Sequence, residues 1–213
     1  MTSLTSVTLE VADPATAARF YDDAFGLGPA ALRLRACETP TEGFRGFTLA
    51  LTVSRPADVD GLVESALAAG ATALKPADRS LWGYGGVLRA PDGTIWKIAT
   101  SARKDDGPAT RRIDEIVLLL GVEDVKASKR FYVERGLGVG KSFGGRYAEF
   151  TADASSPVKL ALYKRRGLAR DLGVPADGSG SHRVVLGGAT GPFTDPDGFS
   201  WETAVPVTAY TGI

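Results

Sequence analysis

The sequence repeats itself once, and that repeat limits what the chain can fold into. The first copy carries Asp13, then Phe20-Tyr21, then Gly26-Leu27-Gly28. The second carries Asp124, Phe131-Tyr132 and Gly136-Leu137-Gly138. Further along, Pro91-Asp92-Gly93 precedes Trp96, and Pro196-Asp197-Gly198 precedes Trp201. The same features, in one order and at a nearly constant separation, mark two related modules. They are placed at 1–100 and 113–213. Residues 101–112 between them are polar and charged, as a linker should be.

Each module opens with a strand and a helix. Val7, Leu9 and Val11 alternate with Thr8 and Glu10, the period of a half-buried strand. Asp13 stands at an N-cap position, with Pro14 at the first helical site. Phe20, Tyr21, Ala24 and Phe25 recur at helical spacing and predict a face packed on a sheet. Gly26 is placed to end the helix in a left-handed conformation. The second module repeats the scheme with 116–120, Asp124, Phe131-Tyr132 and Gly136. Short alternating strands follow at 45–53 in the first module, with 146–151 and 158–164 as counterparts in the second. A Pro-Asp-Gly turn then leads into a closing strand, 94–99 or 199–204. The modules differ in one region. Val59, Leu62, Val63, Ala66 and Leu67 predict a helix within 58–70. The glycine-rich, polar stretch 166–180 predicts a loop, or at most a turn of helix.

Composition narrows the function classes. The 213 residues, 44% of them hydrophobic, suffice to bury a core without disulfides or a structural metal. Lys+Arg and Asp+Glu both number 25, so no basic excess points to nucleic acid. The chain shows no basic-then-apolar leader and no run near the about 18 apolar residues of a membrane span, so a cytoplasmic location is expected. Cys37 is the single cysteine and cannot form an intramolecular disulfide. His182 is the single histidine, which excludes a metal site drawing two or more histidines from one chain.

The Asp13, Phe20-Tyr21-Asp22, Gly26-Leu27-Gly28 series and Asp195-Pro196-Asp197-Gly198-Phe199-Ser200-Trp201-Glu202 resemble the vicinal oxygen chelate superfamily. Glyoxalases, bleomycin- and fosfomycin-resistance proteins and extradiol dioxygenases belong to it. The resemblance implies an α+β fold of two tandem βαβββ modules forming a cupped, glyoxalase-like sheet. It also implies, for metal-dependent members, ligands on the first and last strands of each module. Those positions match Ser6 and Lys97 in the first module and Glu202 at the end of the second. At the start of the second, Val117 keeps the spacing to Asp124, whereas Glu115 is selected if Gly121 is an insertion. A serine hydroxyl is a poor neutral ligand, and a charged lysine has no free lone pair. The expectation is therefore a cup without a cofactor, with a divalent metal as the minority alternative. The same mapping predicts that Lys97, Glu202 and Glu115 converge, with the ammonium in the cation's place. The alternative is a solvated Lys97 and a Glu202 paired elsewhere.

Two function classes follow. The first is a protein that binds a small organic molecule in the cup, with Ser6, Thr8, Arg33, Arg35, Trp82 and Lys97 as candidate contacts. Arg33 and Arg35 alternate with Leu32 and Leu34; on a cup-facing strand they suit a carboxylate or phosphate, and on a solvent-facing one they are ordinary charges. The second is an enzyme of the same fold, of lyase, isomerase or dioxygenase type. It would use Glu202, His182 or Glu115 as a general base, with or without a metal. Trp96 and Trp201 fall on the strand face opposite Lys97 and Glu202 and are expected in the core. Trp82 lies in an aromatic, glycine-rich stretch that suits a pocket wall. Two modules in one chain complete a cup alone, so a monomer and a homodimer are both open.

Overall fold

A computed structural model describes residues 3–81, 83–105, 107–153, 156–189 and 191–203. In chain order the elements are β1 (Leu4–Val11), α1 (Pro14–Phe25), β2 (Arg33–Ala36), β3 (Thr41–Gly43), β4 (Phe47–Thr52), α2 (Pro56–Ala68), β5 (Thr72–Ser80), β6 (Gly83–Arg89) and β7 (Ile95–Thr100). After the linker come β8 (Glu115–Val122), α3 (Val125–Glu134), β9 (Val139–Phe143), β10 (Tyr147–Phe150), β11 (Lys159–Lys164), α4 (Arg165–Leu172), β12 (Gly178–Gly180), β13 (Val184–Gly188), β14 (Phe193–Thr194) and β15 (Ser200–Thr203). No helix among the described residues is long and apolar enough to cross a membrane.

The expected caps form. Asp13 accepts hydrogen bonds from the Ala15 and Thr16 amides at 3.0 and 3.1 Å, and Asp124 accepts from Lys126 and Ala127 at 2.8 and 3.2 Å. Gly26 ends α1 at φ +67°, where a Cβ would be strained. Helix α3 stops one residue earlier than α1, with Arg135 at its C-cap and Gly136 following at φ +90°.

The βαβββ pattern is complete twice, in β4-α2-β5-β6-β7 and in β8-α3-β9-β10-β11. Each places its first and last strands side by side and parallel, with the third and second strands outside them. The two units join through antiparallel β4 and β8 into an eight-stranded sheet. Two abbreviated units build a second sheet of five strands. In β1-α1-β2 and in β13-β14-β15 the first and last strands are again parallel, and β1 joins β13 antiparallel. Each sequence repeat thus contributes strands to both sheets. The repeat length and the βαβββ unit do not coincide.

Two local expectations change. The counterpart of β4 is β13 rather than β10 or β11. Both β4 and β13 are first strands, parallel to the closing strands β7 and β15, whereas β11 closes a unit. Alternation reveals a strand but not its partner. Within 166–180, the expected loop is instead helix α4, ended by Gly173 at φ +77°. Leu168, Ala169 and Leu172 bury one face of it. Its remaining residues are charged or glycine, which hides the helix in the composition.

A large core lies between the sheets and α1, α2 and α3. Trp96 and Trp201 are both buried there, as expected. Each packs on the tyrosine of a Phe-Tyr pair, Tyr21 at 5.4 Å and Tyr132 at 5.7 Å between ring centroids. Those tyrosines explain why the two motifs occur together. Tyr21 donates to Asp92 Oδ2 at 2.5 Å, and Tyr132 donates to Asp195 Oδ2 at 2.6 Å. Burial, and then the facing carboxylate, push both phenols well above their ordinary range, so they stay protonated donors. Tyr132→Phe leaves the buried Asp195 oxygen without its donor. A loss of about 1–3 kcal/mol is expected, read as a lower urea midpoint with an unchanged m-value.

Candidate functional site

The two sheets differ on the faces turned away from α1, α2 and α3. On the eight-stranded sheet that face carries α4. Leu168, Ala169 and Leu172 pack with Phe44, Val87 and Ile95 into a separate small core, flanked by Leu119 and Tyr163. At its C-terminal end α4 receives two lysines. Lys97 Nζ lies 2.5 Å from Asp171 Oδ2, and Lys75 Nζ donates to the Arg170 and Asp171 carbonyls at 3.1 and 2.5 Å. Lysines at this end also complement the helix dipole. The face is therefore largely occupied by the chain itself.

The corresponding face of the five-stranded sheet is polar and borders a cavity of about 530 Å³. Ser6, Thr8 and Glu10 follow one another on β1, each two residues on, so they share this face. Register places Ser6 opposite Gly187, and Gly187 opposite Glu202. Thr8 lies between Val185 and Arg33, and Glu10 lies beside Arg35. Arg35 ties the row together. Its Nη1 is 2.9 Å from Glu202 Oε2, and its Nη2 is 2.9 Å from Glu10 Oε1. The hydrogen bond to Glu202, reinforced by Glu10, raises the Arg35 guanidinium further above its ordinary value. Ser6 is 5% exposed, and its Oγ has no hydrogen-bond partner. It occupies space that Gly187 leaves, since a Cβ there would collide with the hydroxyl.

His182 borders the same cavity as Glu10, Arg35, Ser200 and Glu202. Its ring stacks on Phe199 at 4.1 Å. Nδ1 lies 2.6 Å from the Arg45 carbonyl, and Nε2 lies 3.1 Å from the Asp197 carbonyl. Both nitrogens thus face backbone acceptors and neither turns toward the cavity. The geometry fits a wall residue better than a general base.

The expected convergence of Lys97, Glu202 and Glu115 does not occur. Lys97 and Glu115 stand on the eight-stranded sheet, and Glu202 on the other. Each has its own partner: Asp171 for Lys97, Arg35 for Glu202, and Lys159 for Glu115. Ser6, Thr8, Arg33, Arg35 and Glu202 do share one face, and His182 borders it. Trp82 lies outside the described residues. Glu10 and Ser200 complete the polar row. Glu10 was legible as the next member of the Ser6, Thr8 alternation.

No family model matches the sequence, and no curated protein matches it. Solved structures do match. Glyoxalase I from Zea mays is similar at 14% sequence identity and a TM-score of 0.60, over 94% of this chain and 91% of that one. A point mutant of the same enzyme gives 14% and 0.58 over the same shares. The chain has the vicinal oxygen chelate fold. At such identities the likeness establishes the fold alone.

Within the vicinal oxygen chelate fold, register resolves the expected ligand positions. Ser6, Gly187 and Glu202 align across β1, β13 and β15. Val117, Ala50 and Lys97 align in the same way across β8, β4 and β7. The equivalent of Ser6 is thus Val117 rather than Glu115. A divalent cation requires several anionic or neutral donors around one point. The first set offers a serine and one carboxylate already bound by a guanidinium. The second offers a valine and an ammonium. Neither fits a metal. No cluster of three or more His, Cys, Asp or Glu side chains able to hold one occurs among the described residues.

Helix α4 is held by its apolar face more than by its ion pair. Leu172→Ala is expected to cost about 2–5 kcal/mol. Lys97→Ala, which breaks a partly exposed pair, is expected to cost less than about 1 kcal/mol. Denaturant unfolding of the two variants checks that order.

Proposed function

We propose that this protein binds a small organic molecule on the polar face of the five-stranded sheet, with no metal in the site. The observation that carries this reading is the bridge from Arg35 to Glu10 and Glu202. A guanidinium supplies the positive charge beside Glu202, at the fold's ligand position, and leaves no carboxylate pair free for a cation. The cavity of about 530 Å³ lies in the range of small-molecule sites, which place a few polar anchors in an enclosed volume.

In this reading Arg35 orients the ligand through its exposed edge, since 44% of its side chain is accessible while Glu10 is only 18% exposed. Glu10 and Glu202 hold the fork in place. Ser181, His182, Val185 and Ser200 line the cavity beside them. The lyase, isomerase or dioxygenase alternative would require a free base. Glu202 is paired and both His182 nitrogens face carbonyls, so binding is the reading better supported by these contacts.

A thermal-shift screen of small organic compounds, run with and without EDTA, tests the proposal. Hits are expected to keep their effect in EDTA and to bind about tenfold or more weakly to Arg35→Gln, as loss of a charge-assisted hydrogen bond requires. Stoichiometric metal retained through purification, or hits that vanish in EDTA, would sink it.

A further inference from the structure

A second cavity lies on the other side of His182, between β3, the start of β4 and the β6–β7 turn. Its volume is about 170 Å³, and Thr41, Phe44, Arg45, Arg89, Gly93 and Ile95 are among its lining. The Arg45 guanidinium lies against Gly93, where a Cβ would come within 2.7 Å of Nη2, and Gly93 holds φ +88°. One of its nitrogens donates to the Asp92 carbonyl at 2.8 Å. The Arg89 side chain is exposed and makes no hydrogen bond or ion pair among the described residues. Thr41 Oγ1 is buried without a partner. Arg183 lies outside the lining, but its charge also acts on Arg45, while its Nη1 donates to the Cys37 carbonyl. Arg183 stands in the left-handed region at φ +58°, and its buried Nε has no partner.

The charges do not balance. Burial pushes the Arg45 guanidinium below its ordinary value, and the charges of Arg183 and Arg89 add to the effect. The Asp92 carboxylate opposes it, but forms no ion pair with it. Oδ1 accepts from the Thr94 amide at 2.8 Å, and Oδ2 accepts from the Tyr21 hydroxyl. None of the three arginines forms an ion pair among the described residues. A half-buried cation facing two others is costly unless an anion enters. Guanidinium groups and a hydroxyl converging on one small cavity match a tetrahedral oxyanion, which accepts several hydrogen bonds at once.

We propose that this cavity binds a phosphate group, either the free ion or the phosphoryl end of a small molecule, through Arg45, Arg89 and Thr41. The site is separate from the polar face of the five-stranded sheet and does not depend on that reading. The two touch opposite sides of one residue, since His182 borders the first cavity while its Nδ1 meets the Arg45 carbonyl.

Calorimetric titration of the purified protein tests the site, with inorganic phosphate and phenyl phosphate as probes and chloride holding the ionic strength constant. Saturable binding is expected for at least one probe. A similar affinity for both identifies the free ion as sufficient, and a markedly tighter phenyl phosphate identifies the phosphoryl end of a small molecule whose apolar part rests on Phe44 and Ile95. Arg89→Gln alters an exposed side chain without partners, so the variant keeps the fold. It is expected to weaken binding about tenfold or more, as is Arg45→Gln where its melting temperature shows it folded. Lys104→Gln, in the exposed linker, is expected to change nothing. Absence of saturable binding to the parent protein, or binding undiminished in Arg89→Gln, overturns the proposal.

Discussion

The hydrogen bond from Tyr132 to Asp195, and its counterpart from Tyr21 to Asp92, each tie a helix on one sheet to a turn on the other. Helix α1 belongs to the five-stranded sheet, and Asp92 lies in a turn of the eight-stranded one. Helix α3 and Asp195 reverse that relation. The two bonds therefore fasten the sheets reciprocally through a shared core. Tryptophans packed on the two phenols exclude water from the same points. Removing either acid strands a buried hydroxyl, and removing either hydroxyl strands a buried acceptor. Everything placed on the outer faces of the sheets, the polar row and the α4 plug included, inherits its position from this fastening.

The two faces show opposite answers to one electrostatic problem. At equivalent strand positions one sheet carries Glu202 and the other Lys97. Glu202 is met by Arg35 from a neighbouring strand, with Glu10 completing the fork. Lys97 is met by Asp171 from a helix that fills the space. Both faces are internally compensated. The α4 face keeps a cavity of about 250 Å³ beside Lys97 and Asp171, and the face of the five-stranded sheet keeps the larger one, about 530 Å³, where binding is proposed. The arginines beside Gly93 depart from this rule, because neither Arg45 nor Arg89 makes an ion pair among the described residues.

The fold was largely legible in the sequence. Asp13 and Asp124 announced the helix starts, and alternation at Val7, Leu9 and Val11 announced the first strand. Trp96 and Trp201 were correctly placed by parity alone. Pairing between strands was not legible, because the same apolar alternation serves β4, β11 and β13. Lys97 and Glu202 were expected together because the resemblance maps both to ligand positions, and they stand on different sheets. Helix α4 was missed because three buried residues, Leu168, Ala169 and Leu172, are diluted by glycine and charge. The site was legible in part. Ser6, Thr8, Arg33 and Arg35 stood out singly, but the clasp of Arg35 between Glu10 and Glu202 joins residues from three strands. No spacing in the chain encodes it. The same holds for Arg45, Arg89 and Arg183, which only folding brings together.

The exchange of strands between the repeats also bears on how the molecule is kept whole. Each sheet is sewn along one central seam, β1 with β13 and β4 with β8, and both seams join one repeat to the other. The linker between the repeats is not slack. Asp58 in the first turn of α2 accepts from the Thr110 and Arg111 amides at 2.5 and 3.0 Å, and Asp105 accepts from the Ala57 amide at 2.7 Å. After a single cut in that linker, separation of the halves would leave both seams as raw sheet edges. Two fragments would then have to find each other in solution, and their cohesion would depend on dilution. Covalent continuity here converts what would be a subunit interface into an internal joint.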